Sequence, residues 1–238
     1  MKPLLALAAP ALLAAAPAAE RSAERELMVL TVANMAETVG VRDVRRLDSE
    51  VLAAMRKVPR HLFVPEAERR HAYQNRPLPI GHDQTISQPY IVALMTHLLK
   101  VERKHRVLEV GTGSGYQAAI LSELAGEVWT IEIVEPLARE AERRLATLGY
   151  RNARVRAGDG YAGWPEQAPF DRIIVTAGAP HVPKPLLDQL KPGGRMVIPL
   201  AQSEGGEALM LIEKDRSGRI RSRNLLPVRF VPLVRAPR

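Results

Sequence analysis

The chain has no cysteine. Disulfides, thiolate nucleophiles and cysteine-ligated zinc are therefore excluded. It has six histidines, His61, His71, His82, His97, His105 and His181, and none falls in an H-E-x-x-H or comparable ligand spacing. No metal site is expected. Aromatic residues make up only 4% of the chain, and the arginines that recur between Arg216 and Arg238 are not interleaved with them. A stacking platform for single-stranded nucleic acid would need that interleaving. Long apolar runs are missing too, because the Ala/Leu-rich stretch from Leu4 to Ala16 is short and broken by Pro10. A membrane span is not expected from it.

What is present is an ordinary globular balance, with 46% hydrophobic and 25% charged residues over 238 positions, enough for one sizeable core. The net charge is +8, which suits either an anionic partner or a solvated surface. Residues 1–19 differ in composition from the rest, with Lys2 as a minimal positive start and Ala16-Pro17-Ala18 resembling a cleavage site. They read as a signal peptide or an unstructured leader. Residues 20–100 read as N-terminal helices with a substrate loop and 101–238 as the main core, the two forming one compact domain.

The most informative stretch is Arg106 to Tyr116. Val107, Leu108 and Val110 form a short apolar run, and Gly111, Gly113 and Gly115 follow in alternation before the apolar segment Gln117 to Leu121. The pattern predicts a buried strand, a tight glycine turn and a helix start. Such a turn lets a ligand lie against the backbone, and the helix start favours a carboxylate or phosphate. A second apolar run, Glu127 to Ile131, ends in Glu132, where an acid can accept the hydroxyls of a ribose. The spacing is G-x-G-x-G rather than the dinucleotide form. Glu109, two residues before the first glycine, would repel a pyrophosphate but suit an ammonium. Ribose, adenine, an amino-acid tail and a positive centre together describe S-adenosylmethionine.

Around this core, helices are predicted from Arg21 to Val39 and from about Asp48, an N-cap, to Pro59. Leu78 to Tyr90 reads as a polar substrate loop running into a helix over Ile91 to Leu99. A charged helix follows from about Pro136 to Leu148. The strand Arg154 to Ala157 then leads to Gly158-Asp159-Gly160, so that Gly111, Glu132 and Asp159 converge at the strand ends. Phe170 to Thr176 is a buried strand, Val182 to Leu190 a helix, and Pro192-Gly193-Gly194 a turn. Strands at Arg195 to Leu200, Ala208 to Ile212 and Leu225 to Val234 are separated by Gly205-Gly206 and Ser217-Gly218, and short turns of this kind make antiparallel neighbours.

These segments resemble the protein-L-isoaspartate O-methyltransferase family. The likeness rests on Leu78-Pro79-Ile80-Gly81, Gln84 to Pro89, Val107 to Gln117, Gly158-Asp159-Gly160, Pro169 to Ala177, Leu190 to Gly194 and Val228 to Leu233. The glycine motif marks class I methyltransferases in general; Thr85-Ile86-Ser87 and Arg229 to Leu233 mark this family. The resemblance implies an α/β Rossmann-like class I S-adenosylmethionine-dependent methyltransferase, with a doubly wound, mainly parallel sheet, antiparallel C-terminal strands and N-terminal helices. It implies methyl transfer to the free α-carboxylate of L-isoaspartyl residues in damaged proteins and peptides, followed by closure to a succinimide. Ser87 would be the active-site hydroxyl, and Thr85 and Ile86 would belong to the loop beside cofactor and substrate and contribute to cofactor binding. Gly111, Gly113 and Gly115 would cradle the cofactor's amino-acid end, Glu132 would take the ribose, and Asp159 with Gly160 the adenine. Asp83 departs from the family, which usually has glycine there, and an acid in the loop would disfavour a carboxylate substrate.

Readings that remain open are a class I methyltransferase acting on RNA, suggested by the charge, and a non-catalytic module that retains the fold. A dehydrogenase fits poorly with the glycine spacing and Glu109. The expected protein is a cytoplasmic monomer, where the cofactor is made, with periplasmic or secreted placement if the leader is cleaved.

Overall fold

The computed structural model describes residues 20–39, 41 and 44–235, so the leader at 1–19 lies outside the described residues. Two helices come first, α1 (Ser22–Val39) and α2 (Ser49–Lys57). Asp48 takes the N-cap position of α2 with extended backbone, but its side chain makes no cap hydrogen bond. Its carboxylate instead accepts from Lys100 Nζ at 2.9 and 3.0 Å, because the charged pair outcompetes a neutral backbone donor.

The expected loop at 78–90 is more ordered than a loop. It is an antiparallel hairpin of β1 (Leu78–Gly81) and β2 (Gln84–Ile86), turned by His82 and Asp83 with φ of 53° and 56°. Two consecutive left-handed residues are what a two-residue hairpin needs, and Asp tolerates that conformation while Gly adopts it freely. The family's usual glycine at position 83 therefore reads as a turn requirement. The hairpin runs into α3 (Pro89–Leu99), with Pro at its first position, where the missing N–H costs nothing.

The remaining elements alternate as β3 (Arg106–Val110), α4 (Tyr116–Leu124), β4 (Glu127–Glu132), α5 (Glu135–Thr147), β5 (Ala153–Ala157), β6 (Phe170–Val175), α6 (Lys184–Gln189), β7 (Leu190–Ala201), β8 (Glu207–Lys214) and β9 (Ile220–Val228). The last seven strands form one sheet in the order β5-β4-β3-β6-β7-β8-β9. Pairing is parallel from β5 through β7 and antiparallel from β7 to β9. The doubly wound sheet with antiparallel C-terminal strands is thus observed.

β3 is central because it can be buried on both faces. Val107 belongs to the core cluster shared with α1 to α4, while Leu108 and Val110 belong to the cluster on the other face with Phe170, Ile173 and Leu186. Strand alternation sends neighbouring side chains to opposite sides.

Two C-terminal expectations are corrected. Pro192-Gly193-Gly194 lies within β7 instead of turning the chain before it; Gly193 has φ of 80°, so the departure is local and the strand resumes. The last strand spans Ile220–Val228 rather than Leu225 to Val234. Asp215 Oδ1 accepts from the amides of Ser217 and Arg219 at 2.9 and 3.0 Å, so the turn is tight and pairing starts at once. The residues after β9 cross back to the parallel half, where Gly178 N donates to Val231 O at 2.8 Å and Leu233 N to Gly178 O at 2.7 Å.

Candidate active site

β3 has β4 on one side and β6 on the other, and the chain runs outward from it in both directions. A crevice forms at the carboxyl ends of strands where the order reverses. Here it is a cavity whose walls include Gly111 and Gly113 after β3, Glu132 ending β4, Gly160 after β5 and Thr176 after β6. The hairpin supplies Thr85, Ile86 and Ser87, and the C-terminal crossing supplies Val231 and Leu233. Seven of the expected site residues, Ser87, Thr85, Ile86, Gly111, Gly113, Glu132 and Gly160, thus face one space.

The glycine turn is held from both flanks. Gly111 N donates to Ile131 O at 2.8 Å, and Thr176 Oγ1 donates to Gly111 O at 2.6 Å. Gly111 has φ of 98°, and a Cβ there would overlap Thr176 Oγ1; no other residue fits this position without displacing the threonine. A Cβ on Gly160 would likewise overlap Val110 Cγ1.

Glu132 is buried, and both of its oxygens accept from backbone amides, Oε2 from Gly113 at 2.7 Å and Oε1 from Val134 at 3.0 Å. It therefore shapes the glycine turn as well as lining the cavity. Each carboxylate oxygen has more than one acceptor direction, so capacity for ligand hydroxyls remains.

Glu109, Gly115 and Asp159 are not brought to the cavity wall. Gly115 instead serves the turn, with φ of 89° at the N-cap of α4. Asp159 Oδ1 accepts from Tyr161 N at 2.8 Å and so caps the short turn that presents Gly160. Glu109 is fully buried in β3, opposite Thr130, and neither of its oxygens has a hydrogen-bond partner. Burial pushes its carboxyl up to about 8, with the Glu132 charge adding to the shift and Thr130 opposing it. The residue expected to meet an ammonium thus lies inside the sheet.

Thr176, Val231 and Leu233 went unassigned in the sequence. Thr176 had a signal, since it follows a buried strand next to the central one. The C-terminal pair falls in the family-marking stretch Arg229 to Leu233, but nothing local places residues after β9 beside the carboxyl end of β6.

Thr85, Ser87, Thr176 and Val231 also line a second depression, an apolar groove walled by Met35 and Val39 of α1 and by Leu226 and Phe230. The end of the hairpin therefore stands between a cavity and a groove. Among the described residues no group of three or more His, Asp or Glu side chains is arranged to hold a metal ion, and no helix is long and apolar enough to cross a membrane.

Residues 38–237 match the family model for protein-L-isoaspartate(D-aspartate) O-methyltransferase. The chain is 65% identical over 187 residues to protein-L-isoaspartate O-methyltransferase 2 of Syntrophobacter fumaroxidans, covering 79% of this chain and 76% of that one. A solved protein-L-isoaspartate O-methyltransferase superposes with a TM-score of 0.75 at 28% identity, over 87% of this chain and 65% of the other. This chain thus spans a little under two thirds of that structure's length. A Plasmodium falciparum chain described as a protein-L-isoaspartate O-methyltransferase, solved in complex with S-adenosyl-L-homocysteine, superposes with a TM-score of 0.72 at 25% identity over 87% of this chain and 98% of its own. By the family model and these relatives, the chain belongs to the protein-L-isoaspartate(D-aspartate) O-methyltransferase family.

Proposed function

We infer that this chain is an S-adenosylmethionine-dependent methyltransferase acting on the free α-carboxylate of L-isoaspartyl residues in damaged proteins and peptides, the step that initiates repair through a succinimide. The observation that carries the reading is the shared wall: Thr85 and Ser87 face both the glycine-turn cavity and the open apolar groove. One space suits a cofactor and the other an extended peptide, with the reacting atoms meeting between them.

The cavity fits S-adenosylmethionine on its own geometry. Gly111 and Gly160 let the backbone of the cavity wall pack directly against Thr176 and Val110, where a Cβ would collide, and Glu132 places a carboxylate beside the turn. Glu132 would take the ribose hydroxyls, the turn through Gly111, Gly113 and Gly115 the amino-acid end, and the Gly160 segment, capped by Asp159, the adenine. When bound, this cofactor supplies a methyl group on a sulfonium centre.

The protein's own residues then have little proton chemistry to perform. An α-carboxyl has a pKa of about 3.5 and is ionised at neutral pH, so the nucleophile needs no general base. No histidine lines the cavity. Ser87 would orient the carboxylate by donating a hydrogen bond, Thr85 and Ile86 would hold the backbone beside it, and Val231 and Leu233 would exclude water. Such alignment can account for much of the barrier reduction. Asp83 sits exposed at the hairpin tip and lines neither space.

The test is methyl transfer from labelled S-adenosylmethionine to paired peptides that differ only in L-isoaspartyl or L-aspartyl at one position. Label on the isoaspartyl peptide alone supports the reading. Label on neither, with the cofactor bound, leaves the fold and removes the function. We further propose that the protein acts as a monomer in the cytoplasm, where its cofactor is made. A native N-terminus near Ala19 or Glu20, read by mass spectrometry, would indicate cleavage and export instead.

A further inference from the structure

Arg60 is one of the largest fully buried side chains among the described residues, with no exposed surface. Nothing in the sequence singles it out, since it follows Pro59 where a helix was expected to end. A buried guanidinium ordinarily has a carboxylate beside it, because an unpaired charge in the interior is costly. Arg60 has none. Nε donates to Ala72 O at 2.8 Å, Nη2 donates to Ser87 O at 2.8 Å, and the guanidinium carbon lies 4.8 Å over the Tyr116 ring. Nη1 has no hydrogen-bond partner. Burial pulls its pKa down to about 10, and the groups that oppose this are Tyr116 and Tyr73, with no acid among them. The side chain still carries its charge at neutral pH.

These contacts join three segments. Ala72 closes the N-terminal helical region, Ser87 ends the substrate hairpin, and Tyr116 opens α4 directly after the glycine turn. A planar fork reaches two carbonyls and a ring face at once, which an ammonium cannot do. Stability alone is a poor reason to retain such a group, since replacing buried charges by apolar residues is often neutral or stabilising. We infer that Arg60 is a positioning residue for the methyl transfer: its guanidinium fixes the Ser87 backbone against the glycine turn through Tyr116. The inference rests on the reading of Ser87 as the hydroxyl that orients the substrate carboxylate.

The test is a double-mutant cycle on the full chain, measuring kcat on an isoaspartyl peptide and the Kd of S-adenosylhomocysteine. Misplacement of a reacting group by about 1 Å can cost about a hundredfold, so Arg60→Lys is expected to lower kcat about tenfold or more while the Kd stays within about twofold. In the Ser87→Ala background the same substitution should change kcat by less than about twofold, because the hydroxyl it positions is gone. Arg60→Gln, which keeps a donor but not the fork, serves the same cycle where the lysine variant does not fold. An equal loss of kcat in both backgrounds overturns the inference, as does a parallel loss of cofactor affinity or failure of both variants to fold. Ser87→Ala with unchanged kcat removes the Ser87 reading and this inference together. Ser87→Ala with a large loss, combined with an additive Arg60 effect, removes this inference alone.

Discussion

At Glu109 a carboxyl group has lost its water without gaining a partner for either oxygen. Its raised pKa, about 8 against 4.5 unfolded, makes folding pH-dependent. The folded form favours the protonated acid, so this group's contribution is fully present below pH 4.5, weakens as the unfolded carboxyl ionises, and is lost as pH rises through 8. Glu109→Gln should therefore flatten the fall in Tm between pH 5 and pH 8, read by thermal melts at the two values. An unchanged slope would mean that the carboxyl is not the source. At Ser87 the expected result is a lower kcat for Ser87→Ala with the Kd of S-adenosylhomocysteine within about twofold, since a lost orienting hydrogen bond acts on the chemical step. Asp159→Ala should show the reverse emphasis, because it removes the cap on the turn presenting Gly160. Losing such a cap costs about 1 kcal/mol of stability, and the Kd of S-adenosylhomocysteine should rise by titration while kcat at saturating cofactor is kept. At Asp83 the turn conformation, not the charge, is at stake. Asp83→Gly should leave KM for an isoaspartyl peptide within about twofold while raising Tm, because glycine adopts the left-handed turn without a Cβ in the way.

Among the elements, the crossing after β9 is the one whose placement depends on distant parts of the chain. Glu207 on β8 accepts from Phe230 N at 2.7 Å, and its carboxylate occupies the space where a Cβ on Gly178 would sit. One glycine thus lets the crossing segment lie down over the carboxyl end of β6, where Val231 and Leu233 close the cavity. Gly178→Ala should push Glu207 aside, destabilise the fold by about 1–3 kcal/mol as an overpacked site does, and weaken cofactor binding. Denaturant melts and titration with S-adenosylhomocysteine would check both parts. Stability lost with unchanged affinity would show that the crossing does not serve the cavity. The hairpin at 78–86 is the counterpart on the other wall, and its register brings Ile86 and Ser87 to the cavity while His82 and Asp83 turn away.

Across the whole molecule, the parallel half was legible because its signals are local. A β-branched run, a glycine turn and an amphipathic helix repeat, and each names its own element. Gly111, Gly113 and Glu132 could be assigned on the same grounds, since switch-point geometry brings strand ends together whatever the loops contain. Burial of Glu109 was not legible, because pairing with the strands on either side of β3 decides it and proximity to the glycines in sequence does not. The bounds of β9 and the role of Val231 and Leu233 were hidden because they depend on pairing between segments far apart in the chain. Arg60 was invisible for the same reason, as its meaning lies in carbonyls at 72 and 87.

If one wall serves both substrates, a single isoaspartyl peptide followed over time with the enzyme and S-adenosylmethionine gives a base-labile methyl ester that decays through a succinimide, with some of the peptide recovered as the aspartyl form and S-adenosylhomocysteine released in step with the ester. An isoaspartyl peptide that stays unmodified while the cofactor binds, or a methyl group that resists base, would contradict it.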